Sequence, residues 1–148
     1  MEHLLLDEIG QLPYLSGGSS FRAYRYGNHA LKVGDVSDRA DTLEGTRRLQ
    51  AAGIPVLPVE DEWETGGMWV YSQPLVVPLS NPSPEDAARG LDVMRRGAEA
   101  GVFDLWSDNV AYYKGQLCVF DPTMLSPVSA EAEESCAARW LSLQGGVR

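Results

Sequence analysis

The chain is poor in cysteine. Cys118 and Cys136 are its only two; they form no CxxC pair, and no histidine cluster lies near them. A disulfide scaffold and a cysteine-type zinc site are therefore excluded, and this cysteine usage suits a reducing cytoplasm. Basic residues are scarce as well. The 12 Lys and Arg stand against 21 Asp and Glu, a formal net charge of -9. A protein whose main task is to grip a phosphate backbone carries the opposite balance, so nucleic acid is not an expected partner. No apolar run approaches the roughly 18 residues of a membrane-spanning helix, so no membrane partner is expected either. The opening residues, MEHLLLDEIG, carry acids where a secretory leader would carry bases, which argues against a signal peptide. There is no internal repeat and no low-complexity tract.

What is present is the composition of a globular domain, 44% hydrophobic and 22% charged over 148 residues. That length suits one domain, or one domain split into two small lobes. A core covering roughly two-thirds of the surface of the unfolded chain is within its reach. The acidity serves solubility. A sharper reading is an acidic face that docks on a basic partner, and Val59-Glu60-Asp61-Glu62-Trp63-Glu64 is the densest acidic cluster. A solvated turn accounts for that cluster equally well.

The element pattern runs from strands to helices. Residues 12 to 36 read as strands around a Gly17-Gly18-Ser19-Ser20 loop and a Gly27-Asn28 turn. Asp38 to Ala52 reads as a helix capped by Asp38 or Asp41, with Leu43 and Leu49 inward and Gly53 as its stop. Residues 54 to 59 carry two prolines and suit only an edge position. Met68 to Ser72 follows a Gly66-Gly67 turn as another strand. The four prolines of residues 73 to 84 mark a hinge between two lobes. Ser83-Pro84-Glu85-Asp86 opens a helix that ends at Gly101. A hairpin over 110–120 and a helix over 129–143, capped by Ser129, complete the chain.

Four features that bear chemistry fall in one order: the Gly/Ser loop; a strand with a lone lysine, Ala30-Leu31-Lys32-Val33; a helix carrying Glu44; and Asp104-Leu105-Trp106-Ser107-Asp108-Asn109 with Asp121 beyond it. Phosphoryl transfer needs these parts. Backbone amides and a lysine hold phosphates, a carboxylate fixes the lysine, an Asn and an Asp hold magnesium, and a further Asp orients the attacking hydroxyl.

On these residues the chain resembles the protein-kinase-like superfamily. Ala30-Leu31-Lys32-Val33 is similar to its Val-Ala-Ile-Lys strand, and Asp104-Leu105 with Asn109 is similar to the second half of its catalytic loop. Asp121-Pro122 stands where Asp-Phe-Gly begins. A closer likeness is to the early serine/threonine protein kinase of T7-group bacteriophages. It is carried by Gly18 to Tyr24, Lys32-Val33-Gly34, Gly53-Ile54-Pro55-Val56, Phe103 to Asn109 and Asp121-Pro122, and it covers about residues 13 to 125.

The resemblance implies an α+β, reduced bilobal kinase. Its first lobe, about residues 1–74, is a small antiparallel sheet with one helix. Its second, about 75–148, is short and mostly helical. The resemblance also implies ATP and Mg²⁺ as cofactors and Ser/Thr of host proteins as acceptors, in the host cytoplasm. Lys32 would contact the α- and β-phosphates and Glu44 would pair with Lys32. Gly17, Gly18, Ser19 and Ser20 would form the phosphate loop. Asp104 would orient the acceptor hydroxyl, and Asn109 and Asp121 would hold Mg²⁺. Whether a second copy completes the short second lobe is left open.

The departures from the family pattern are specific. Only Gly18 remains of the Gly-x-Gly-x-x-Gly loop, with Ser16 and Phe21 at the other glycine positions. Val102-Phe103-Asp104 replaces His-Arg-Asp, Trp106 replaces a lysine common in these kinases, and residues 122–148 are few for an activation segment and substrate-binding helices. They motivate an alternative of another class, a kinase-like protein without turnover that binds and inhibits a host factor. A small-molecule phosphotransferase is a third reading.

Overall fold

The computed structural model describes residues 2–17, 21–79, 82–103, 105, 109–122, 125 and 130–144. The class is α+β, as expected. In chain order the elements are α1 (Leu6–Ile9), β1 (Tyr14–Gly17), β2 (Arg22–Tyr26), β3 (His29–Asp35), α2 (Asp38–Ala51), β4 (Asp61–Thr65), β5 (Met68–Pro74), α3 (Pro84–Glu99), β6 (Val110–Tyr113), β7 (Gln116–Val119) and α4 (Ala130–Gln144). The chain divides into two compact units, Met1–Ala40 with Leu57–Val76, and Asp41–Val56 with Val77–Arg148. From Asp41 onward α2 thus belongs to the second unit.

The first unit is a five-stranded antiparallel sheet of order β1-β2-β3-β5-β4. Gly27 at φ +60° makes the expected β2–β3 turn, and Gly66 and Gly67 at φ +57° and +77° make the turn between β4 and β5. Both turns need the left-handed backbone that glycine adopts without a Cβ clash. Strand β3 sits at the centre. Alternation along it sends Leu31 and Val33 to one face, where they pack with Leu4, Ile9, Tyr24 and Val70. The opposite face carries Ala30, Lys32 and Gly34.

Two elements here differ from expectation. Asp61–Thr65, read as an acidic cluster or solvated turn, is the edge strand β4. Its acids alternate between the two faces, Asp61 on one and Glu62 and Glu64 on the other; a charged edge discourages pairing with other chains, and Trp63 alone supplies an apolar anchor. Short helix α1 was not expected at all. Four residues carry too little periodicity to be read.

The second unit is helical around one core. Helix α3 starts as its sequence indicates: Ser83 accepts a hydrogen bond from the Asp86 amide, and Pro84 occupies the first turn. Ala87, Leu91 and Met94 of α3 pack with Cys136 and Trp140 of α4, and Leu49, Ile54, Val102, Leu105, Val110 and Val119 close the same core. Gly90 lies against the Trp140 ring, where a Cβ would stand 2.3 Å from Cη2. Gly53 ends α2 at φ +76° and Gly101 follows α3 at φ +85°, both as expected.

One expectation within α2 fails. Leu43 does not point inward; it is 43% exposed. The buried positions are Thr42, Gly45 and Leu49, spaced by three and four residues. Choosing the two leucines followed hydrophobicity, whereas the packed face is set by the small residue, Gly45. Residues 54–59 form no sheet edge; Val56 makes a single parallel bridge to Val119, and Ile54 and Leu57 are buried. Among the described residues no helix is long and apolar enough to cross a membrane.

Candidate functional site

Lys32 lies in the middle of β3, paired with Ala23 on β2 and Tyr71 on β5. It is 5% exposed. An edge lysine whose head reaches water is therefore not what this sequence encodes, because β3 is the central strand and the ammonium is buried. Burying a charge is costly unless it is compensated. The register fixes its surroundings. Ala23 and Ala30 are its small neighbours, and Trp69 and Tyr71 stand on the same face, with Gly34 opposite Trp69. The Lys32 Nζ lies 5.9 Å from the Tyr71 ring centroid, within cation–π range. Tyr71 stacks on Trp69 at 4.5 Å, and Phe21 meets Tyr71 edge-on at 5.4 Å. Phe21 thus fills the position of a missing glycine with an aromatic that joins this cluster. Of the loop, Gly17 is described, at the end of β1 opposite Arg22. Gly18, Ser19 and Ser20 lie outside the described residues.

Asn109 and Asp121 belong to the second unit. Strands β6 and β7 pair from Val110–Val119 to Tyr113–Gln116, with Lys114 and Gly115 in the turn at left-handed φ. The ladder runs one step past Val110, as the Phe120 amide donates to the Asn109 carbonyl at 3.0 Å. Asn109 and Asp121 therefore flank the open end of one hairpin. Both are half-buried, and both side chains end in oxygen donors, the kind a hard cation takes. Among the described residues no group of three or more His, Cys, Asp and Glu side chains gathers as a metal site, here or elsewhere. Magnesium keeps most of its shell as water and phosphate, so two protein ligands suffice.

Pro122 then crosses helix α2. Its carbonyl oxygen occupies the space beside Gly45, only 1.7 Å from where a Cβ would be. The Asp121-Pro122 backbone is thereby seated on α2, one residue from Glu44. Gly45 was not among the expected site residues. Its only sequence signal is a small residue within a helix, three positions from Thr42 and four from Leu49.

Glu44 accepts hydrogen bonds from Arg47 and Arg48 of its own helix, the latter through Nε at 3.0 Å. The Arg47 and Arg48 bonds pull its carboxyl down to about 2. Arg48 also donates from Nη1 to the Gly101 carbonyl at 3.0 Å, tying α2 to the turn that precedes Val102-Phe103. Glu44 and Arg48 thus form an i,i+4 ion pair within α2. Asp104, with Trp106, Ser107 and Asp108, lies outside the described residues, although the flanking Val102 and Leu105 are fully buried.

No model of a known protein family matches the chain, and no curated protein matches it in sequence. Among solved structures it is similar to the kinase domain of PknI from M. tuberculosis. One such structure shares 19% identity at a TM-score of 0.48, covering 91% of this chain and 71% of that one. A second shares 17% at 0.47, covering 91% and 73%. These identities and TM-scores are low, and the functional reading rests on the chain's own residues.

Proposed function

We propose that the chain transfers the γ-phosphoryl group of ATP, with Mg²⁺, to Ser or Thr hydroxyls of proteins. The observation that supports this most is Lys32, an ammonium buried on a central strand beside two alanines and an aromatic cluster. A triphosphate is the anion that such a lysine suits. Asn109 and Asp121, set at one end of a hairpin that is seated on α2, would hold the metal, which supplies charge neutralisation to the phosphates when bound. Asp104 would orient the acceptor. The acceptor oxygen forms a bond to the γ-phosphorus, the bond to the β–γ bridging oxygen breaks, and ADP leaves with that electron pair. The hydroxyl proton passes to Asp104 or to water. In a loose transition state positioning outweighs proton removal, so Asp104 needs no unusual basicity. The sequence resemblance makes host proteins of a phage-infected cell the acceptor class of this proposal.

A second reading is favoured by Glu44. Its carboxylate is taken up by two arginines, whereas the family's use of that residue is to fix the lysine. On this reading the chain binds and inhibits a partner without turnover.

Calorimetry of ATP binding with and without Mg²⁺, on wild type, Lys32→Ala and Asp121→Asn, separates the two. Binding that needs Mg²⁺ and is lost in Asp121→Asn supports the phosphotransferase, and label transfer to proteins of a host lysate then identifies acceptors. No binding at millimolar ATP refutes it and leaves the non-catalytic binder.

A further inference from the structure

The face of the first sheet opposite Lys32 ends in a second feature, independent of the nucleotide reading. A cavity of about 620 Å³ is lined by Glu2, Tyr26, His29, Glu60, Asp61 and Ser72 with the Gly27-Asn28 turn. The sheet register explains the gathering. Tyr26 pairs with His29, Leu31 pairs with Ser72, and Ser72 pairs with Asp61, so Tyr26, His29, Ser72 and Asp61 all project to one side.

The charge there is negative. Glu60 accepts from His29 Nδ1 through Oε1 at 2.9 Å. Among the described residues no other hydrogen bond reaches the second oxygen of Glu60. Asp61 is engaged through both oxygens, by His3 at 2.9 Å and by the Glu62 amide at 2.9 Å. The His3 bond holds its carboxyl below the usual range, so it stays ionised. Asp61 thus supplies field, and Glu60 supplies field with an open acceptor.

The floor of the cavity is Ser72. It is 0% exposed, and its Oγ has no hydrogen-bond partner among the described residues. A buried hydroxyl left unpaired is costly. A hydroxyl in this state at the base of an acid-rimmed cavity is a place kept for a donor. Tyr26 offers an aromatic wall.

We infer that the cavity formed by Glu2, Tyr26, His29, Glu60, Asp61 and Ser72 binds an alkylguanidinium or alkylammonium head. Such a head has the charge for the rim, N–H donors for Glu60 and Ser72, and an alkyl stem for Tyr26. It can come from a basic side chain of a polypeptide or from a free amine. The site gives a residue-level form to the acidic cluster of residues 59–64.

The test titrates the full chain with agmatine, with N-butylurea as the neutral counterpart, and with a short peptide holding one arginine. Agmatine is expected to bind saturably and N-butylurea not to bind. Glu60→Gln should weaken agmatine about tenfold or more, the loss expected of one charge-assisted hydrogen bond. Ser72→Ala should weaken agmatine while raising the Tm of the ligand-free protein, because it removes an unpaired buried hydroxyl; a hydroxyl with a purely structural role would lower it. A peptide that binds more tightly than agmatine assigns the head to a polypeptide; equal affinity assigns it to free amines. Absence of saturable agmatine binding, or agmatine binding unchanged in Glu60→Gln, overturns the inference. ATP binding is not involved in any of these measurements, so its outcome stands apart.

Discussion

Replacing Gly45 by alanine sets two effects against each other. In a helix interior the exchange is favourable by about 0.8–1 kcal/mol from propensity alone. The structure opposes it, because the new Cβ would lie 1.7 Å from the Pro122 carbonyl oxygen and 2.9 Å from its carbon. Both are backbone atoms, so no rotamer change relieves the clash. The Asp121-Pro122 segment must retreat by more than an ångström, or α2 must shift away from it. Overpacking of this kind costs about 1–3 kcal/mol, and the propensity gain offsets part of it. We expect a net loss of about 1 kcal/mol, or roughly 2–4 °C in Tm for a chain of this length. The larger effect is on the site, since the displaced segment carries Asp121. Mg²⁺-dependent ATP binding, measured by calorimetry, should fall by more than tenfold. Gly90→Ala is the control. It also meets a hard obstacle, Trp140 Cη2 at 2.3 Å, and should cost similar stability in urea unfolding while leaving ATP affinity in place. A Gly45→Ala protein that is more stable than wild type and binds Mg·ATP unchanged would refute the reasoning.

Three further outcomes are expected. The Glu44 carboxyl sits at about 2 against an ordinary 4.5, so its contribution to stability is present above about pH 4.5 and is lost as pH falls towards 2; acid-unfolding curves of wild type and Glu44→Gln should differ at neutral pH and converge near pH 2. Tyr112→Phe removes the 2.7 Å hydrogen bond to Asp86 and should cost about 0.5 kcal/mol in denaturant unfolding, the low end for an exposed bond. Because that bond lowers the Asp86 carboxyl, the difference should shrink as pH falls below the ordinary carboxylate range. Ser83→Ala deletes the cap of α3 and should cost about 1 kcal/mol, read as a lower urea midpoint at unchanged slope; a Ser83→Asp variant should keep most of the stability.

Much of the fold was legible where local chemistry and tertiary packing agree. The Gly27-Asn28 turn, the alternation around Lys32, the Ser83-Pro84 helix start and the Lys114-Gly115 hairpin all state their geometry in a few neighbouring residues. Strand β4 was not legible, since four of its five residues are polar and an edge needs little apolar surface. Leu43 misled for the complementary reason: hydrophobicity marks what can be buried, but the approach of Pro122 decided which face of α2 is. The candidate roles of Lys32, Asn109 and Asp121 rest on their order along the chain. The role of Gly45 could not be read there, because it consists of the absence of a side chain opposite a backbone carbonyl that is distant in sequence. The cavity floored by Ser72 was equally hidden. It depends on the pairing of β3, β4 and β5, and nothing in the immediate surroundings of Ser72 announces that pairing.

The assignment of α2 to the second unit has a consequence for how the chain can be made. The polypeptide passes between the units at residues 40–41, 56–57 and 76–77. Synthesised from its N-terminus, it can close the five-stranded sheet once Val76 has emerged. Leu49 and Ile54 must wait, because their core partners run from Ala87 to Trp140. Until then two large apolar side chains stay exposed on a nascent intermediate, a state in which aggregation competes with folding. A fragment ending at Val76 would keep that state permanently. Its expected behaviour is a folded sheet joined to a sticky, unsupported helix, so the first unit cannot be obtained as a clean piece by truncation. An excised version would need residues 41–56 replaced by a short polar linker.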